Sequence, residues 1–194
     1  MEATKQAERI KAIWQEHLEV AKALPELAAA VSSAVEAIYS SLAAGGLLLV
    51  AGNGGSAADA QHIAAEFTGR FLRDRRPLRA MALHVNTSSL TAIGNDYGYE
   101  HVFARELQAH ARPGDVLVAL STSGNSPSIL RAIEAARASK VTVIGLTGGS
   151  GGAIRTACDI CLCVPTKSTP RIQEMHIMIY HAMCELLEER LAEA

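Results

Sequence analysis

The sequence predicts an α/β protein: a three-layer αβα sandwich on a five-stranded parallel sheet, preceded by an N-terminal helix pair. Three observations carry that expectation. From residue 46 onward, short apolar runs alternate with helix-like segments, the pattern of a parallel sheet covered on both faces. Two of those runs end in turns of small hydroxyl and glycine residues: Gly52-Asn53-Gly54-Gly55-Ser56 after residues 47–51, and Ser121-Thr122-Ser123-Gly124-Asn125-Ser126 after residues 116–120. Apolar residues make up 49% of the 194-residue chain but aromatic ones only 4%, so the core must be aliphatic and rich in alanine, with enough length for one domain.

Taken in order, residues 4–22 and 25–43 read as two helices divided at Leu24-Pro25. The first carries Ile10, Ile13, Trp14, Leu18, Val20 and Ala21 on roughly one face, and Gly45-Gly46 stops the second. Strands are expected at 47–51, 79–84, 115–120, 141–146 and 159–164. Helices are expected at 56–69, 88–94, 99–111, 127–138, 151–156 and 171–191. The Gly148–Gly152 cluster reads as a flexible connection between strand and helix. No linker or low-complexity tract divides the chain, so residues 1–194 form a single domain.

Charge narrows the function. With 18 basic and 20 acidic residues and no basic stripe, electrostatic binding of nucleic acid is not supported. The first residues, Glu2 to Lys11, are polar and charged, unlike a secretory signal, and no apolar run approaches the roughly 20 residues that span a bilayer. A cytoplasmic protein is expected. Cys158 and Cys161 have a CxxC spacing, but no second pair follows, so they read as apolar residues of a strand rather than as a zinc knuckle or redox pair.

A strand that ends in glycine and hydroxyl residues at a helix N-terminus makes an anion cradle, because free N–H groups and the helix dipole both favour negative charge. Two such turns suggest a phosphorylated small molecule held from two sides. Ser56 is placed to cap the helix after the first turn, and that helix carries His62 and Glu66 at i, i+4, one face, a spacing that suits a divalent metal or a base. Arg70, one turn on, is a positive charge for the ligand or a partner for Glu66. The second turn offers Ser121, Thr122, Ser123 and Ser126, with Pro127 suited to the first helical position. Lacking the GxxxxGK[ST] pattern, it argues against ATP hydrolysis. In the last helix Gln173 and His181 are separated by about 80° around and about 12 Å along the axis. His176 reads as a core histidine, and Asp96 as a ligand for hydroxyls or a turn cap.

Four stretches together resemble the SIS (sugar isomerase) family: AGNGGSAADAQHIAAEFTGRF (51–71), LTAIGNDYGYEHVF (90–103), GDVLVALSTSGNSPSIL (114–130) and RIQEMHIMIYH (171–181). The likeness runs over essentially the whole chain. It implies the SIS fold, with helices in residues 1–45 used in oligomerisation and the αβα core with its C-terminal helix in 46–194. It also implies an aldose–ketose isomerase that converts sedoheptulose 7-phosphate to D-glycero-D-manno-heptose 7-phosphate through an enediol, at the start of ADP-heptose and lipopolysaccharide core synthesis. On that resemblance Glu66 is the base and His181 the acid. Ser121, Thr122, Ser123 and Ser126 hold the phosphate, and Asn53, Gly54, Gly55, Ser56, Asp96, Arg70 and Gln173 position the sugar. Zinc, one per subunit, is implied at His62, Glu66, Gln173 and His181, although a ligated Glu66 is less free to act as base. A homotetramer with active sites at subunit interfaces is implied as well. The chain departs from some members at Ser168-Thr169-Pro170, where they carry an acid; the hydroxyl of Thr169 is the replacement. The alternative is a non-catalytic SIS protein that binds a replication initiator. A sugar-phosphate-sensing regulatory domain ranks lower, since residues 1–45 show no basic recognition helix.

Overall fold

The computed structural model describes residues 2–192. Helix α1 (Glu2–Ala21) leads through a 3-10 turn at Leu24–Leu27 into α2 (Ala28–Ala43). The alternating part follows as β1 (Leu48–Ala51), α3 (Gly55–Thr68), β2 (Ala80–Ala82), α4 (Thr87–Tyr97), α5 (Val102–His110), β3 (Val116–Leu120), α6 (Pro127–Ala138), β4 (Thr142–Gly148), α7 (Ile154–Ala157), β5 (Ile160–Val164) and α8 (Thr169–Ala192). The expected order of elements holds, and the differences are at their ends. Pro25 tightens the entry to α2 into a 3-10 turn, α4 runs one turn further than 88–94, and α8 begins at Thr169 rather than 171.

All five strands are parallel in the order β2-β1-β3-β4-β5. Side chains alternate across the sheet with period two. Val116, Val118 and Leu120 of β3 enter one core with α2, α3 and α8, while Leu117 and Ala119 enter the other with α5 and α6. Aspartates pin the strand entries, Asp115 buried and Asp159 exposed. Asp115 accepts from the N–H groups of Leu47 (2.8 Å) and Arg112 (2.7 Å), and Asp159 accepts from that of Val143 (2.8 Å).

Helices α3 and α8 share a long seam, closed at its far end by Glu188. This carboxylate is 3% exposed and accepts from the N–H groups of Phe71, Leu72 and Arg73 at 2.6–2.9 Å, with Arg75 Nε 3.3 Å away. Burial alone would raise its pKa, but the three donors and the arginine outweigh it and hold the carboxyl below its ordinary range. Helix α1 docks on α8 through Arg171, which donates to the Ile13 carbonyl and to Glu174, and through His17, 2.7 Å from Glu174. Its apolar face is left uncovered by the other described residues: Ile10, Trp14 and Leu18 are exposed.

The four cysteines are free. Cys158 lies just past α7 rather than in the strand, and Cys161 and Cys163 are half-buried on the edge strand β5. His176 is fully buried, with Nε2 3.2 Å from the Thr147 carbonyl, and burial lowers its pKa to about 4, so it is a neutral core histidine. No helix among the described residues is long and apolar enough to cross a membrane.

Replacing Glu188 with Gln should cost about 3 kcal/mol at pH 7, because the buried arginine loses its counter-charge. The folded pKa is depressed, so the group's contribution is present above the unfolded value near 4.5 and is lost as pH falls through the folded one. Urea denaturation of both proteins from pH 7 to pH 3 checks this: the curves should converge at the acid end, and equal midpoints at pH 7 would contradict it.

Candidate active site

Strand order reverses between β1 and β3, which are neighbours although β2 lies between them in sequence. In open α/β sheets ligands sit in the crevice at such a switch point, beyond the carboxyl ends of the strands. Both glycine and hydroxyl turns leave the sheet there, and between them lies a cleft of about 360 Å³. Of the residues expected at the substrate, Asn53, Gly54, Gly55, Ser56, Ser121, Thr122, Ser123, Ser126, Thr169 and Gln173 all line it, together with Leu120. Asp96 and Arg70 do not. Asp96 is exposed in the last turn of α4, where Asn95 donates to it at 2.7 Å. Arg70 is exposed beyond α3, Glu66 pairs with His62 instead, and the arginine packed beneath this stretch is Arg75, which donates to the Glu66 and Phe67 carbonyls.

The first turn is built by glycine. Gly54 has φ +56°, a conformation that L side chains rarely adopt, and it starts α3 at Gly55, two residues earlier than a Ser56 cap would. Ser56 is therefore inside the first turn of the helix, 3% exposed, and Asp59, three residues on, turns toward Tyr180. A Cβ on Gly55 would collide with the Gln173 amide, which holds α8 against this turn.

The two turns are joined by Asn53. Its Nδ2 donates to Ser126 Oγ (2.8 Å) and Ser128 Oγ (3.0 Å), and its Oδ1 accepts from the Tyr99 hydroxyl (2.8 Å). Asn125 ties the second turn to the glycine cluster by accepting from the Ala153 N–H at 2.9 Å. Ser126 occupies the N-cap position of α6 ahead of Pro127, but its hydroxyl makes no capping bond to the helix and accepts from Asn53 instead. Tyr99, Ser128 and Asn125 carried no signal of their own in the sequence, because each acts by touching a residue remote along the chain.

A second cluster lies further along the α3–α8 seam. His62, Glu66 and His181 each offer a ligand atom, and these atoms lie within 4.8 Å of one another, the one such group of three or more His, Cys, Asp or Glu among the described residues. His62 Nε2 is 2.8 Å from Glu66 Oε1, and the His62 and His181 rings meet edge to face at 5.1 Å. His181 Nε2 is buried without a hydrogen-bond partner. Burial and the neighbouring His62 lower the His181 pKa against the pull of Glu66, so its ring is neutral. Nitrogen and oxygen donors this close, one of them an orphaned buried nitrogen, fit a divalent ion. Gln173, the fourth expected ligand, is not brought into this group. It faces Gly55, seven residues and about 10 Å along α3 from His62.

Behind His62 the Tyr180 hydroxyl is 2.9 Å from Nδ1 and 3.5 Å from Asp59 Oδ1. Burial raises the Asp59 pKa, opposed by Tyr180 and His62, and burial with the Asp59 charge raises that of Tyr180.

A family model for the SIS domain matches residues 14–148. A phosphoheptose isomerase from Rhodospirillum rubrum is 54% identical over 184 residues, covering 95% of this chain and 98% of that one. The structure of phosphoheptose isomerase GmhA from Neisseria gonorrhoeae superposes with a TM-score of 0.90 at 44% identity, covering 95% and 99% of the two chains. That of a phosphoheptose isomerase from Francisella tularensis does so with 0.87 at 38% identity, covering 97% and 99%.

Asn53→Ala should destabilise the fold by about 1 kcal/mol, since the buried Ser128 hydroxyl loses the Asn53 amide and keeps only its 3.3 Å contact with Ser126. It should also speed amide exchange in residues 121–126. Calorimetry and hydrogen exchange check both; an Asn53→Ala protein with wild-type exchange in the second turn would show that the turns are held apart from Asn53.

Proposed function

The chain belongs to the SIS-domain family and, within it, to the phosphoheptose isomerases, and we propose that it interconverts sedoheptulose 7-phosphate and D-glycero-D-manno-heptose 7-phosphate through an enediol. The observation that carries this reading is the spacing of two sites on one helix. The anion cleft sits at the N-terminus of α3, and the acid–base cluster starts at His62, about 10 Å along it. An extended seven-carbon chain with a terminal phosphate covers such a distance. No support for the initiator-binding alternative comes from the relatives, which are isomerases by name.

The proposed roles follow from that span. Ser121, Thr122, Ser123 and Ser126 donate to the phosphate, assisted by the helix starts at Gly55 and Pro127. Asn53, Ser56, Thr169 and Gln173 line the path of the carbon chain. Glu66 takes the C1 proton of the ketose while the neutral His181 protonates the C2 oxygen, giving the enediol. The O1 proton returns to His181 and the carbon proton is delivered to C2, giving the aldose. Neither Asp96 nor Arg70 reaches the cleft in a single chain; each serves the sugar only from a neighbouring copy.

Zinc is the proposed ion at His62, Glu66 and His181, where the close donors and the orphaned His181 Nε2 support it. When bound it would supply Lewis-acid polarisation of the substrate oxygens. Glu66 has a second oxygen and His181 a second nitrogen, so ligation and proton transfer need not use the same atoms. Gln173 enters such a shell only from a second chain.

A homotetramer with sites at subunit interfaces is proposed too, with residues 1–45 as its interface. Support comes from the uncovered face of α1, where Trp14 is 65% exposed, and from Ile177 and Met178 exposed on α8. Trp14→Glu should then yield a smaller particle by light scattering, and an unchanged mass would remove α1 from the interface.

The reaction itself is tested by incubating purified protein with sedoheptulose 7-phosphate and assaying the aldoheptose. Glu66→Gln should fold normally and turn over at least about a hundredfold more slowly. A near wild-type rate in that variant would end its assignment as base.

A further inference from the structure

We propose that Tyr180 and Asp59 are positioning residues that set which ring nitrogen of His62 carries its proton, and so present Nε2 as a ligand. The proposal rests on the reading of His62 as a metal ligand. The geometry behind it is a chain of contacts in one line: Glu66 Oε1, 2.8 Å from His62 Nε2; His62 Nδ1, 2.9 Å from the Tyr180 hydroxyl; and that hydroxyl, 3.5 Å from Asp59 Oδ1.

A tyrosine hydroxyl has one proton to donate and can also accept. Here two acceptors compete for that proton, His62 Nδ1 and the Asp59 carboxylate. While Nε2–H donates to Glu66, Nδ1 is a lone pair, and the Tyr180 proton points at it. Once the Nε2 lone pair is committed to an ion, the ring proton is on Nδ1 and must be donated to the Tyr180 oxygen. The Tyr180 proton then turns to Asp59 Oδ1. The hydroxyl is thus a pivot with a partner in both states, and Asp59 is the acceptor that makes the second state possible.

The surroundings argue against a purely space-filling role. Tyr180 is 1% exposed among apolar side chains, where phenylalanine would pack as well without a hydroxyl to satisfy. Asp59 is 7% exposed, and its Oδ2 is buried with no hydrogen-bond partner. A buried carboxylate with one oxygen unpartnered is costly to the fold, and the pivot gives its other oxygen a use. Outer hydrogen bonds of this kind fix the ring orientation and tautomer of metal-binding histidines.

The test compares wild type, Tyr180→Phe, Asp59→Asn and the double variant as metal-free full-length protein, titrated with zinc against a chromophoric chelator. Tyr180→Phe should bind zinc ten- to a hundredfold more weakly. Its turnover should be restored at saturating zinc, which a merely structural defect would not permit. Asp59→Asn should weaken zinc in the same direction, and the double variant should be no weaker than Tyr180→Phe alone, because both act through one contact. Equal zinc affinity in Tyr180→Phe and wild type overturns the proposal. A second readout uses no metal: the nitrogen-15 resonance of His62 Nδ1 should move in Tyr180→Phe. If it stays in place, the contact does not exist and the proposal fails. If wild type takes up no zinc but that resonance moves, the metal reading fails while the positioning contact stands.

Discussion

The site depends on one constraint, the adjacency of β1 and β3. Because the chain adds β2 on one side of β1 and then returns to lay β3 on the other, two strand ends 68 residues apart in register (Val50 against Val118) open onto the same edge. Each turn alone would be an ordinary start to a helix. Side by side they aim two helix N-termini into one cleft, where the dipoles and backbone N–H groups act together on an anion. Asn53 fixes their separation, since its single amide group engages Ser126, Ser128 and Tyr99 at once. The core serves the same end: alternate residues of β3 fill opposite layers, so neither turn can shift without disturbing packing on both faces of the sheet.

A second constraint is the parallel course of α3 and α8. Contacts along their seam march in step: Gly55 with Gln173, then Asp59 and His62 with Tyr180, His62 with His181, and finally residues 71–73 with Glu188. The order separates functions along one axis. The cleft end carries the hydroxyl and glycine turns, the middle carries the cluster of His62, Glu66 and His181, and the far end is a buried carboxylate that takes three backbone donors and anchors the loop after α3. The buried Glu188–Arg75 pair therefore fixes the distal end of the helix on which the cluster stands.

Much of this was legible in the sequence, and the reason is periodicity. Apolar strands ending in Gly/Ser turns identify the layers and the cleft, and an i, i+4 pair of His62 and Glu66 must share a helix face. What was not legible depends on partners remote in sequence or on backbone dihedrals. Ser56 looked like a cap because serine suits that role, yet Gly54 can take φ +56° and starts the helix before it. Arg70 looked like the partner of Glu66 on helical spacing, but α3 ends at Thr68 and the chain turns away, so Arg75 occupies the buried position. Asp96 sits on a helix whose last turn faces solvent. Nothing in the sequence tied Tyr180 to Asp59; only the seam between α3 and α8 brings the hydroxyl and the carboxylate behind His62.

The chemistry of the cleft lining bears on the proposed reaction. Its donors to an anion are hydroxyls and backbone N–H groups, and no lysine or arginine lines it. Neutral donors at helix starts hold a phosphate without forming a buried ion pair, whose desolvation would be large. They also add no fixed positive charge of their own beside the His62–Glu66–His181 cluster; the arginine packed near Glu66, Arg75, is paired with Glu188. Separating the anion grip from the acid–base cluster by about two turns of α3, and building the grip from uncharged groups, lets one helix serve both ends of an extended phosphorylated substrate without the two ends interfering.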